Sequence, residues 1–125
     1  MTQLCCVVLS LMLVGAFQQE ILGTWTGTWE GQGTGGFELT LEKAKDESLT
    51  GRVSVTGEPT YKATLKTVSL TGNKMSATYD FPPDDQIEVV LAATFDGETA
   101  KGTWIARVKG GGDTVASGTW MVKKQ

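Results

Sequence analysis

Residues 87–108 read Ile-Glu-Val-Val-Leu-Ala-Ala-Thr-Phe-Asp-Gly-Glu-Thr-Ala-Lys-Gly-Thr-Trp-Ile-Ala-Arg-Val. Ile87, Val89, Leu91, Ala93 and Phe95 recur at every second position, a period that puts them on one face of a β-strand. Asp96-Gly97 then supplies the chemistry of a tight hairpin, where positive φ is needed. Beyond it Gly102, Trp104, Ala106 and Val108 resume the same alternation. The stretch therefore predicts an antiparallel hairpin with one apolar face.

The pattern extends in both directions. Six further segments alternate in the same way: Trp25, Gly27 and Trp29; Phe37, Leu39 and Leu41; Leu49, Gly51, Val53 and Val55; Tyr61, Ala63 and Leu65, then Val68 and Leu70; Met75, Ala77, Tyr79 and Phe81; Ala116, Gly118, Trp120 and Val122. The parity breaks once, between Leu65 and Val68, where a β-bulge near Lys66-Thr67 would repair it. The links are too short for a crossover helix, so neighbours should be antiparallel. Gly72-Asn73 reads as a second tight hairpin. Gly57-Glu58-Pro59, Pro82-Pro83-Asp84-Asp85 and the polar Lys43 to Glu47 read as longer turns.

Eight meandering segments with one apolar face must bury it, by closing into an up-and-down barrel or by folding into a sandwich. Closure also removes exposed edges, and glycines inside the segments suit the bends it needs. The expected fold is all-β, an eight-stranded antiparallel up-and-down β-barrel in a single domain spanning residues 17–125.

All four tryptophans sit in a repeated triplet: Gly23-Thr24-Trp25, Gly27-Thr28-Trp29, Gly102-Thr103-Trp104 and Gly118-Thr119-Trp120. In a closed meander the first and last segments pair, so the four indoles should gather on adjacent strands and face inward. A three-residue loop Gly111-Gly112-Asp113 would put Trp104 opposite Trp120 and Ala106 opposite Gly118. Two readings follow. The indoles form the wall of a ligand cavity, with their N–H groups as polar handles, or they fill a barrel that is only just wide enough for its own side chains. Tyr61 and Tyr79 are the best inward polar side chains. The candidate ligand-binding set is Trp25, Trp29, Tyr61, Tyr79, Trp104 and Trp120.

The 125 residues contain no histidine, which removes the commonest general base and metal ligand. Asp84 and Asp85 read as a solvated turn, and Gly31 to Gly36 precedes a strand, so it is no phosphate loop. No catalytic residue, metal or cofactor is expected. The net charge of −3 gives no field for nucleic acid.

Leu4 to Phe17 is the one long apolar run, and its length suits a signal-peptide core rather than a membrane span. Residues 1–16 are expected to be a signal peptide cut after Ala16, although no Lys or Arg precedes the run; a buried N-terminal element is the alternative. Cleavage would remove Cys5 and Cys6, leaving no cysteine chemistry. The mature chain would be secreted or periplasmic, without stable membrane insertion.

Val90, Ala92, Ile105, Val115 and Met121 fall at outward positions. They predict a surface for homo-oligomer contact, unless Phe17 to Leu22 covers it.

Gly23-Thr24-Trp25, Leu49-Thr50-Gly51, Leu70-Thr71-Gly72 and Gly118-Thr119-Trp120 give residues 21–124 a resemblance to the exported lipocalin-like small barrels of bacteria. The opening strand also resembles that of avidins, but Thr26-Gly27-Thr28 stands where avidins place polar biotin contacts, so biotin binding is not implied. The resemblance implies a ligand-binding barrel. The reading is thus an exported, non-catalytic module for a small hydrophobic or aromatic ligand, against a structural or protein-interaction domain with a filled barrel.

Overall fold

A computed structural model describes residues 21–125. The segment read as a signal peptide, with Cys5, Cys6 and Ala16, lies outside the described residues. Nine strands follow: β1 Gly23–Glu30, β2 Thr34–Lys43, β3 Leu49–Val55, β4 Tyr61–Thr64, β5 Thr67–Thr71, β6 Lys74–Asp80, β7 Ile87–Asp96, β8 Thr99–Val108 and β9 Thr114–Lys124. They form one antiparallel sheet in the order β4-β3-β2-β1-β9-β8-β7-β6-β5, curled into a half-barrel. The first and last strands pair as expected, with Trp29 opposite Trp120.

The strand count is nine rather than eight, and the reason lies at the parity break. No bulge forms there. Leu65 N–H donates to Gly51 O on β3, and the next residue, Lys66, donates to Thr78 O on β6. The chain changes partner between these two residues, so one expected strand becomes β4 on β3 and β5 on β6. Lys66 and Thr67 are both exposed, which resets the alternation, while Leu65 is buried and Val68 half-buried.

The two ends of the half-barrel are connected differently. At one end two hairpins turn over Gly72-Asn73 and Gly97-Glu98, with φ of 60° at Gly72 and 61° at Gly97, conformations that favour glycine, and residues 44–48 join β2 to β3. At the other end there are four links, residues 31–33, 56–60, 81–86 and 109–113, none of them a two-residue turn.

The predicted inward face is largely the buried face. Trp25, Phe37, Leu39, Leu41, Val53, Met75, Ala77, Tyr79, Leu91, Phe95, Trp120 and Val122 are all buried. Val108 is the exception at 39 % exposure, because a register irregularity follows Ala106. Ile21 and Ala100 are buried residues that the alternation did not single out.

The outer patch is smaller than expected. Val90 and Ile105 are cross-strand partners with Ala92 alongside, but Thr103 and Thr119 separate them from Met121, which lies opposite Lys101. Ile21 does not cover this face; it belongs to the interior cluster.

Candidate functional site

The register of β8 on β9 builds the site. Gly102 lies opposite Trp120, Thr103 opposite Thr119 and Trp104 opposite Gly118, so the two Gly-Thr-Trp triplets meet head to tail with a glycine facing each indole. This corrects the expectation that Trp104 faces Trp120 and Ala106 faces Gly118; Ala106 faces Ala116. The link runs over five residues, 109–113, rather than three. Between the pairs Ala106–Ala116 and Arg107–Thr114, Val115 has no partner. Across β8 and β9 each indole thus has a glycine's space beside it, while on its other side Trp120 faces Trp29 of β1.

The same device recurs on β1, where Trp29 is opposite Gly35. A Cβ at Gly35 would sit 2.6 Å from Trp29 Nε1, and one at Gly118 would sit 2.6 Å from Trp104 Nε1. Each ring thus crosses the neighbouring strand at its glycine and reaches a carbonyl beyond it. Trp29 Nε1–H donates to Thr56 O at 3.0 Å, and Trp104 Nε1–H to Glu30 O at 3.0 Å. Trp120 Nε1–H donates to Thr103 O at 3.0 Å, and Trp25 Nε1–H to Ile21 O at 2.9 Å. All four indole N–H groups are therefore bonded to backbone. They are not the polar handles expected of them; the rings present carbon surface.

Three of the indoles converge and one does not. Trp29, Trp104 and Trp120 line a cavity of about 590 Å3 at the long-linked end, together with Tyr61, Tyr79, Phe37 and Phe81. Trp29 and Trp104 meet edge to face with centroids 6.0 Å apart, and Trp120 packs on Phe37 at 5.1 Å. Leu91, Val89 and Ala106 form further apolar wall, and Gln32, Glu58, Pro59, Asp84 and Val115 complete the lining. Trp25 is absent from this cavity. It is fully buried at the opposite end, edge to face with Phe95 at 5.0 Å and under Lys124 Nζ at 5.9 Å. Trp25 and Trp29 share a face, but four residues of strand separate them by about 13 Å.

The tyrosines supply the polar atoms of the interior. Tyr61 and Tyr79 hydroxyls lie 2.6 Å apart, and Tyr61 also packs edge to face on Phe81 at 5.2 Å. Tyr79 is buried and Tyr61 half-buried. Burial is the main cause that pushes both hydroxyls above the ordinary tyrosine range, Tyr79 furthest, helped by its neighbour Tyr61. Both are neutral at physiological pH. The contact between them uses one hydroxyl proton of two, so the second, with the remaining lone pairs, faces the cavity or water.

Among the described residues no group of three or more His, Cys, Asp or Glu is placed to hold a metal ion. Phe37, Phe81, Glu58 and Asp84 are lining residues not included in the sequence-derived set. The signal for Phe37 and Phe81 was present in their inward parity, and for Glu58 and Asp84 in the long loops that carry them. Comparisons with family models, with curated proteins and with solved structures found no match for this chain.

Proposed function

We propose that the chain is a non-catalytic, exported binding barrel for a small hydrophobic or aromatic ligand, held at the long-linked end. Taking β4 and β5 as two halves of one stave gives eight staves, the arrangement expected of a lipocalin-like barrel. The observation that carries the reading is the cavity of about 590 Å3 walled by Trp29, Trp104, Trp120, Tyr61 and Tyr79. Clefts of roughly 300–1,000 Å3 with mostly apolar walls and a few polar groups are typical of small-molecule sites. A filled barrel would have used the same residues to close this space, as the other end does with Trp25, Phe95 and Ile21.

Each of the three cavity indoles has its N–H bonded, so contact with a ligand would come through ring faces and edges. The Tyr61–Tyr79 pair would supply the one fixed polar contact. Intrinsic tryptophan fluorescence titrated with a panel of small aromatic and aliphatic compounds tests the reading. A saturable quench or spectral shift by at least one flat apolar compound is expected. A spectrum that no compound in the panel alters would overturn it.

A further inference from the structure

The cavity has a charge asymmetry that the apolar walls make effective. Its charged lining residues are Glu58 and Asp84, both carboxylates, and no Lys or Arg belongs to the lining. Among the basic residues nearest in sequence to the mouth, Lys62 is exposed and lines a separate depression with Glu38, Thr40 and Arg52, and three others are paired elsewhere. Lys66 and Lys109 both pair with Asp80, at 3.0 and 3.4 Å, and Arg107 pairs with Glu88 at 2.7 Å. Glu58 has no ion pair among the described residues. Asp84 is held in place by its own turn: its Oδ1 accepts from Gln86 N–H at 3.0 Å, its N–H donates to Phe81 O, and its carbonyl accepts from Ile87 N–H.

Two carboxylates at the rim of a low-dielectric cleft focus a negative potential into it. Indole faces add to this, because the ring quadrupole attracts a cation lying over it. Trp29 and Trp104 have their N–H edges turned to backbone carbonyls, which leaves ring surface for such contact. Tyr61 and Tyr79 hydroxyl oxygens can accept from an ammonium N–H.

We propose that Glu58 and Asp84 select the charge of the ligand, so that the cavity takes a flat, mostly apolar organic cation such as an aryl- or alkylammonium. The proposal rests on the cavity being a binding site and adds the sign of its ligand. Its consequence is that, among compounds of one shape, a positive head binds best, a neutral one less well and a negative one worst.

Calorimetric titration of the whole chain with 1-naphthylmethylammonium, 1-naphthylmethanol and 1-naphthoate tests it at low ionic strength. The ammonium compound is expected to bind about tenfold more tightly than the alcohol, and the carboxylate more weakly than either. Raising the salt concentration should shrink the cation's advantage, since the mouth charges are solvent-exposed. In Glu58→Gln with Asp84→Asn the ratio of cation to alcohol affinity should fall towards one. Equal affinities, or tightest binding of 1-naphthoate, would overturn the charge selection while leaving the cavity reading intact. Binding of none of the three would remove the cavity reading and the charge selection together. A preference for the cation that survives both high salt and the double substitution would also overturn the role of these carboxylates.

Discussion

The two ends of the half-barrel are built from the same residue types and differ in what those residues are allowed to touch. At the short-hairpin end Trp25 meets Phe95, Ile21 and the chain terminus, and its ring is sealed. At the long-linked end Trp29, Trp104 and Trp120 line open space of about 590 Å3. The strand pattern is the same at both ends, with a Gly-Thr-Trp unit on an antiparallel strand. What differs is the length of the links and the position of the N-terminal residues. Two of the three links at the Trp25 end are two-residue turns, the third being residues 44–48, while the other end carries four links of three to six residues. One end is therefore a core in the ordinary sense, and the other keeps apolar surface that the described residues do not cover.

The comparison can be broken most decisively through the tryptophans. Trp25→Ala empties a fully buried site and should cost about 3–5 kcal/mol in a urea unfolding experiment. Trp104→Ala removes a half-buried ring and should cost about 1–2 kcal/mol. Equal losses at the two positions would contradict the distinction between a sealed and an open end.

A smaller effect than that of Trp25→Ala is expected from the glycine that makes room for an indole. Gly118→Ala would place a methyl against Glu30 O and beside Trp104 Nε1, so the ring must leave its carbonyl. The expected loss is about 1–3 kcal/mol, with a change in near-ultraviolet circular dichroism as Trp104 reorients. An unchanged spectrum would mean that Gly118 does not position the ring.

The tyrosine pair gives the most directional prediction. Tyr61→Phe leaves the buried Tyr79 hydroxyl without its partner and should cost about 1–3 kcal/mol. Tyr79→Phe leaves the half-buried Tyr61 hydroxyl, which water can reach, and should cost about 0.5–1.5 kcal/mol. Both hydroxyls are harder to ionise in the fold than in the free chain. Below about pH 10 neither state ionises, so stability is insensitive to them. Above it the unfolded chain releases protons that the folded chain keeps, and stability falls as pH rises. The alkaline loss should be shallower in Tyr79→Phe than in the parent.

Much of the fold was legible because alternation has an unforgiving period. A residue such as Leu39 or Val53 has only two faces to choose from, and the apolar one was chosen throughout. Register was less legible, since parity fixes it only to multiples of two. The β8–β9 pairing slipped by one such step, to the arrangement in which each Trp faces a glycine rather than another Trp. The division of the expected fourth strand was visible as broken parity at Lys66-Thr67. Its cause, a change of hydrogen-bonding partner, depends on residues far away at Gly51 and Thr78. In the site, five of the six candidate residues share the cavity. Trp25 was grouped with them because a period of two reports the face and says nothing about height along the strand.

The central claim is that three indoles line an accessible cavity and the fourth does not. Titrating the 15N-tryptophan-labelled chain with neutral 1-naphthylmethanol, while recording the four indole N–H cross-peaks, tests this directly. The account predicts saturable shifts of the Trp29, Trp104 and Trp120 peaks with the Trp25 peak stationary. Four stationary peaks, or a Trp25 peak that moves as far as the others, would contradict it.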